Sequence, residues 1–265
     1  MLERASMAEA IPEPTNRPRH GAELQPRGYV LSVNFHPHIR LSRKDGFDFA
    51  SKLSDYIDPQ TANLEAHQWT YSQPLGTSAA GGLEVTITPS SIQFDISFPT
   101  HRKEWLEQRC TMVLQEFYDK FDPKLVLSSS AKVVGTIEID GDARGFLAHH
   151  VVNLNPKRLL LLKRPVHALG IRIFSPPFEH VEKRGKKNVT HTIPWVVDVK
   201  AESLIEDPSK LYLEADAQWP TPTQWTGVPK IIEELIGHLK TVTEYLEKDV
   251  INFLKAPDED SGDPI

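Results

Sequence analysis

The run from Leu83 to Ile139 restricts the fold more than any other part of the chain. Two short alternating segments, LEVTIT and IQFDISF, are separated by Pro89-Ser90-Ser91. In the second segment Ile92, Phe94, Ile96 and Phe98 share one face, and Gln93, Asp95 and Ser97 share the other. A period of two gives a strand with one dry and one wet face, as in an antiparallel sheet covered on one side only. An amphipathic helix is predicted from about Arg102, with Thr100 as N-cap and Glu104 near the positive end of its dipole. Cys110, Val113, Leu114, Phe117 and Phe121 form its dry stripe, and Asp122-Pro123 ends it. Leu125–Ile139 then reads as extended chain, bent near Ser128–Ser130.

The rest of the body repeats these two periods. Tyr29–Phe35 alternates as a strand, and Phe49, Leu53, Tyr56 and Ile57 mark a helical face within Phe47–Ile57. His67–Gln73 is a strand candidate, and Gly76–Gly82 is a small-residue loop. Asp142–Val152 reads as a short helix. Val166–Phe174, Thr192–Lys200 and Leu211–Trp219 read as strands, with Pro176–Asn188 as a polar, basic connection between the first two. Pro229 opens a last helix reaching Leu254. Ile232, Leu235, Leu239, Val242, Leu246 and Phe253 form its stripe, widened by Ile231, Ile236, Tyr245, Val250, Ile251 and Leu254. A stripe that wide fits packing on a sheet rather than a coiled-coil seam.

The expected fold class is therefore α+β: mainly antiparallel sheet covered by two long amphipathic helices. Residues 1–27, with four prolines among Pro12–Pro26, read as a flexible arm, and the acidic 257–265 as a disordered tail. The body, 28–256, reads as one domain with two conceivable subdomains, 28–155 and 156–256. No sequence repeat is visible.

Charge and cysteine content narrow the function. A net charge of −6 argues against a dedicated nucleic-acid surface. The single cysteine rules out an intrachain disulfide and thiolate-rich zinc sites, and fits a reducing compartment. The N-terminus lacks the apolar core of a signal peptide, and Leu159–Leu162 is far too short to span a bilayer. A soluble cytoplasmic protein is expected. No phosphate loop, dinucleotide fingerprint, zinc cluster or nucleophile elbow occurs, so no cofactor is expected.

Polar residues that could carry chemistry are scattered. His36-Pro37-His38 could offer two imidazoles to a metal if the backbone is extended, or could be a polar strand end. His149-His150 follows Asp140 and Asp142, and one histidine beside an aspartate could act as a general base. Glu214 and Asp216 share a strand face, as paired carboxylates or as a solvated face. Lys183, Arg184, Lys186 and Lys187 are the densest basic run. With Lys157, Arg158, Lys163, Arg164 and Arg172 they could bind an anion, or they could be a solvated loop. Cys110 reads as an inert core thiol. Ser128-Ser129-Ser130 lacks a nucleophile's glycine turn, and Trp195, Trp219 and Trp225 read as core or as pocket walls.

Three stretches carry a family resemblance: LEVTITPSSIQFDISFP with Trp105 early in the following helix, LYLEADAQW, and a last helix holding His238 and ending EKDVINFL. With this order of elements the chain resembles an uncharacterised, sporadically distributed bacterial family of about 250 residues. It departs from that family at Lys132–Asp140, KVVGTIEID, where the family has a basic, aromatic strand. The resemblance implies the fold and carries no activity. The expected function is a non-enzymatic module that binds a protein partner or another copy of itself. The alternatives are a metal-dependent hydrolase-like enzyme using His36, His38 or His149 with Asp140, and an anion or nucleic-acid binder acting through the basic run.

Overall fold

A computed structural model describes residues 23–73, 82–97, 103–154, 166–184 and 187–256. The first described elements are strand β1, Gln25–His36, and helix α1, Arg43–Lys52. Short strands β2, Asn63–Leu64, and β3, Trp69–Ser72, lead to β4, Gly82–Ile87, β5, Ser91–Ser97, and helix α2, Lys103–Phe121. Strand β6, Leu125–Glu138, starts the second half, followed by α3, Ala143–Phe146, which continues as a π-turn over Leu147–Val151. Then come β7, Gly170–Ser175, β8, Phe178–Arg184, β9, Lys187–Ile193, β10, Val196–Ser203, β11, Lys210–Trp219, and β12, Thr223–Gln224. Helix α4, Val228–Glu244, passes through a π-turn at Tyr245–Val250 into α5, Ile251–Lys255.

The class is α+β with antiparallel sheet. Ten strands form one sheet in the order β2-β3-β4-β5-β1-β6-β11-β10-β7, with β12 paired to the start of β6, and β8-β9 form a separate hairpin. Every pairing between described strands is antiparallel. The β4–β5 turn is held by Thr88, whose Oγ1 accepts the N–H groups of Ser90 and Ser91 at 3.2 and 3.0 Å.

The order of elements contains a repeat that the sequence does not announce. From β1 the chain passes through α1 to β3 at one margin, steps inward through β4 and β5, and leaves as α2. From β6 it passes through α3 to β7 at the other margin, steps inward through β10 and β11, and leaves as α4. The antiparallel pair β1–β6 lies between the halves, so a pseudo-twofold axis runs through the middle of the sheet.

Alternation puts one row of each strand in the core: Leu31, Val33 and Phe35 of β1, Ile92, Phe94 and Ile96 of β5, Ala131 and Val133 of β6, Leu211, Leu213 and Ala215 of β11. The helices lie on this dry face. Phe117 of α2 meets Phe35 with ring centroids 5.0 Å apart, and Phe49 of α1 meets Tyr71 at 5.6 Å. Ile231, Ile232, Leu235, Leu239, Val242 and Leu246 of the last helix are buried, so its stripe is spent on the chain's own sheet, although Phe253 is exposed. The dry stripe of α2 is buried at Cys110, Val113, Leu114 and Phe117.

Several expected boundaries move. The first strand starts at Gln25, because Pro26 and Gly28 continue the pairing to β6 through a bulge and Leu24 is buried. The expected arm therefore loses its last residues to the sheet, and 1–22 lie outside the described residues. Helix α1 starts earlier than Phe47, where Ser42 Oγ caps the N–H of Asp45 at 3.2 Å. The third strand shortens to Trp69–Ser72 and the Val166–Phe174 strand to Gly170–Ser175. The irregularity in β6 falls at Leu127, skipped in the register to β1, just before the expected serines. The polar connection Pro176–Asn188 is itself half of a hairpin, and Pro194-Trp195 split Thr192–Lys200 between β9 and β10. Thr100, the Gly76–Gly82 loop up to Gly81, and 257–265 lie outside the described residues. No helix among those residues is long and apolar enough to cross a membrane.

Candidate recognition site at the margin of the second half

Among the described residues, the end of the sheet formed by β7 and β10 gathers features that no other region combines. A cleft of about 760 Å3 opens between this margin, the base of the β8–β9 hairpin and the last helix. Its walls are apolar and aromatic: Pro176, Phe178, Ile193, Trp195, Val197 and Tyr245. Thr241, Glu244, Lys248 and Asp249 of the helix line its polar side. Largely apolar clefts with a few polar groups are where proteins most often bind other molecules.

Local structure explains the shape. Pro194-Trp195 interrupt the strand between β9 and β10, and Trp195 lines the cleft at that break. The π-turn shifts the helix register so that Leu246 and Val250 stay buried while Tyr245 turns to meet Trp195, edge to face, at 5.4 Å. Such turns cost helix regularity and occur often at functional sites. Trp195 also lies 5.8 Å from Trp219, and Trp219 stacks on His238 at 3.6 Å with the rings 11° apart. Burial lowers the His238 pKa to about 4, so its imidazole is neutral near pH 7. It shares a 3.0 Å hydrogen bond with Ser129 Oγ. Among the described residues no carboxylate bonds its other ring nitrogen, so the pair serves to satisfy two polar groups between helix and sheet.

Four large apolar side chains around this margin are exposed: Ile173 and Phe174 of β7, Phe178 of β8 and Ile193 of β9. Phe174 is 65% exposed, although it stands in the middle of a paired strand. The outer edge of β7 pairs with no described strand. At the opposite margin β3 is closed: β2 pairs with it at Thr70 and Trp69, and the Thr61 hydroxyl contacts both the N–H and the C=O of Ser72 at 3.0 and 2.5 Å.

The wet face of the second half is an ion network. Arg172 on β7 clasps Asp198 on β10, with Nε at 2.8 and 2.9 Å from the two carboxylate oxygens. That hydrogen bond holds Asp198 below the usual carboxylate range and raises Arg172. Glu214 is 8% exposed; it accepts from Lys200 at 2.7 Å and from the Tyr212 hydroxyl at 2.6 Å, and Lys132 lies 3.5 Å away. Burial alone would raise its pKa; Lys200, Tyr212 and Lys132 outweigh that and lower it. Asp216 pairs with Lys132 at 3.2 Å. The two carboxylates therefore share a face as the alternation requires, but as partners of cations, and Glu214 is not solvated.

The other sequence candidates are far apart. His36 closes β1 opposite Leu125, and its ring lies 6.3 Å from that of His38. Asp140, His149 and His150 follow the far end of β6, fourteen residues or roughly 45 Å of strand away. His36 and His38 therefore cannot converge with Asp140. His149 and His150 sit in the π-turn after α3, with His150 5.8 Å from Phe146. Among the described residues no three His, Cys, Asp or Glu side chains gather to hold a metal ion. Lys183, Arg184 and Lys187 sit on the backbone of the β8–β9 hairpin beside its turn, while Lys186, Lys157, Arg158, Lys163 and Arg164 lie outside the described residues. Cys110 is fully buried, and desolvation pushes its thiol far up. Trp225 is core, whereas Trp195 and Trp219 are half-buried. Sequence reasoning missed the cleft; its one visible signal was the odd company of Phe174, Phe178, Ile193 and Trp195 around prolines. No protein-family model and no curated protein matches the chain.

Proposed function

We propose that the protein is a non-enzymatic recognition module that binds a protein partner at the β7 margin. The observation that carries this reading is that exposed Phe178 and Ile193 line an aromatic cleft beside a strand whose outer edge pairs with no described strand, and that Ile173 and Phe174 of that strand are exposed as well. Proteins rarely leave such a cluster next to unpaired backbone unless another chain covers it. Backbone hydrogen bonds along an edge supply affinity, and a cleft beside it supplies side-chain selectivity. The protein acts in the cytoplasm in this reading, where Cys110 stays reduced. The resemblance to an uncharacterised bacterial family fits it without adding an activity.

Site-specific photocrosslinking tests the reading. The full chain carries benzoylphenylalanine in place of Phe174, or in place of Phe47, which is 58% exposed in the first half. Irradiation in the native host should give one defined protein adduct from position 174 and none from 47. Equal labelling from both positions, or none from 174, would refute the proposal.

A further inference from the structure

The partner's identity can be read from β7 itself, given that the β7 margin is the recognition surface. Ser203 donates its N–H to the carbonyl of Leu169 at 2.9 Å, so Leu169 and Ser203 form a hydrogen-bonded pair of the β7–β10 ladder. Such pairs recur at every second residue. Ile171 and Ile173 therefore direct their backbone groups inward to β10, and Gly170, Arg172 and Phe174 direct theirs outward. The same alternation places the side chains of Gly170, Arg172 and Phe174 on the wet face, and those of Ile171 and Ile173 on the dry one.

We propose that a second copy of this chain occupies the edge, β7 against β7, antiparallel, about a twofold axis at Arg172. The sequence GIRIF is complementary to itself in this register. Phe174, the largest exposed side chain of the strand, faces Gly170 of the second copy, where only the flexible Glu202 side chain lying over the glycine has to swing aside. Ile171 faces Ile173 on the dry side, twice, making the β-branched cross-strand pairs that stabilise sheets. Leu169 comes opposite Ser175, a wall of the cleft.

At the axis this register sets Arg172 against Arg172, a like-charge contact that carboxylates in the neighbouring rows offset. On the wet face the axis row reads Lys200, Arg172, then Arg172 and Lys200 of the second copy. Each neighbouring row brings Asp198 from one copy and Glu202 from the other, because Asp198 lies beside Phe174 and Glu202 beside Gly170. A row of four cations is thus flanked by four carboxylates, and Arg172 enters already bound to its own Asp198. A slip of two residues would set Phe174 against Arg172 and break this arrangement. The interface is isologous and closes after two copies.

Cysteine crosslinking of the full chain reads both the pairing and its register. Cα atoms of a hydrogen-bonded antiparallel pair stand about 5.5 Å apart, within the roughly 4.4–6.8 Å a disulfide spans. Arg172→Cys should give a covalent dimer as the main species on mild oxidation. Gly170→Cys alone and Phe174→Cys alone should not, since their copies stand roughly 13 Å apart; mixing the two should restore the dimer. Cys110 is fully buried and stays silent. The Gly170 variant requires only that the flexible Glu202 side chain swing aside. Sedimentation of the unmodified chain should show the dimer mass. A monomer mass, or a dimer mass with no crosslink at position 172, would overturn the second-copy proposal. In either case a defined adduct of a different protein from benzoylphenylalanine at 174 leaves the recognition surface standing, and its absence removes both.

Discussion

The two halves of the sheet share one topology, and they differ in how each treats its margin and its dry face. In the first half, α1 and β2 close over the outer strand, Thr61 satisfies both backbone groups of Ser72, and the rings of Phe49, Trp69 and Tyr71 pack beneath. In the second half, a hairpin is inserted along the chain between the two paired outer strands, Phe174 faces solvent, and an aromatic cleft opens between the margin of the sheet and the helix. The helix–sheet contact follows the same division. Cys110, Val113, Leu114 and Phe117 of α2 make an apolar seam, whereas α4 carries His238 onto Ser129. One arrangement thus appears twice, once as a closed support and once as an opened surface. An open margin opposite a closed one would suit the recognition role proposed above: stability drawn from one half and edge backbone kept accessible in the other.

The largest expected effect lies where the halves meet. Phe117 is fully buried and touches Phe35 of the first half and Trp225 ahead of the last helix, with centroids 5.0 and 6.4 Å apart. Phe117→Ala should cost about 3–5 kcal/mol in urea unfolding, from lost transfer energy and a residual cavity. Both halves should still unfold in one transition, because β1 and β6 pair along most of their lengths. Two separated transitions by fluorescence and circular dichroism would make the halves independent units and weaken the comparison.

A pH-dependent difference should come from the second half. The folded-state pKa of His238 is about 4, below its ordinary 6.5, because burial disfavours the charged ring. Between these values the unfolded chain binds the extra proton, so acid favours unfolding. This contribution is complete above about pH 6.5, declines as pH falls towards 4, and is level below that. His238→Gln should flatten the unfolding free energy over the same window, and an unchanged slope would place the titrating group elsewhere.

Much of this architecture was legible in the sequence, and what was not has a physical reason. Period-two alternation in IQFDISF and LYLEADAQW, and the wide stripe of the last helix, identified antiparallel sheet with a wet and a dry face, because burial of one face dictates residue type at every second or third position. The shared topology was invisible, since the halves keep only the order of elements: α1 is ten residues where α3 is four, and among the described residues the hairpin has no strand counterpart in the first half. The cleft was equally hidden. Trp195 reads as core or as a pocket wall, Ile193 falls in a predicted strand and Phe178 in a polar connection, and nothing in their spacing announces the break at Pro194 or the π-turn at Tyr245 that bring them to one cleft. For Glu214 the alternation leaves paired carboxylates and a solvated face open, since neighbouring strands are not visible in it; Lys200, Tyr212 and Lys132 from three strands close over the carboxylate.

The smallest expected effect tests the comparison most directly, because it opens the closed margin. The Thr61 hydroxyl accepts the Ser72 N–H at 3.0 Å and lies 2.5 Å from the Ser72 carbonyl, standing in for a neighbouring strand. Thr61→Val keeps the branched shape and removes the hydroxyl. Two hydrogen bonds at about 0.5–1.5 kcal/mol each predict a loss of roughly 1–3 kcal/mol. Amide exchange at Ser72 should accelerate, while exchange at Leu213 and Ala215 in the centre of the sheet changes only as far as global stability falls. If the open edge of β7 is what recruits a second chain, an opened β3 should also begin to associate at high concentration, since unpaired strand backbone is the common feature. A Thr61→Val protein that loses stability as expected yet shows no added association would mean that bare edge backbone is insufficient, and that Ile173 and Phe174, which β3 cannot match because Trp69 and Tyr71 are fully buried, decide which margin is read.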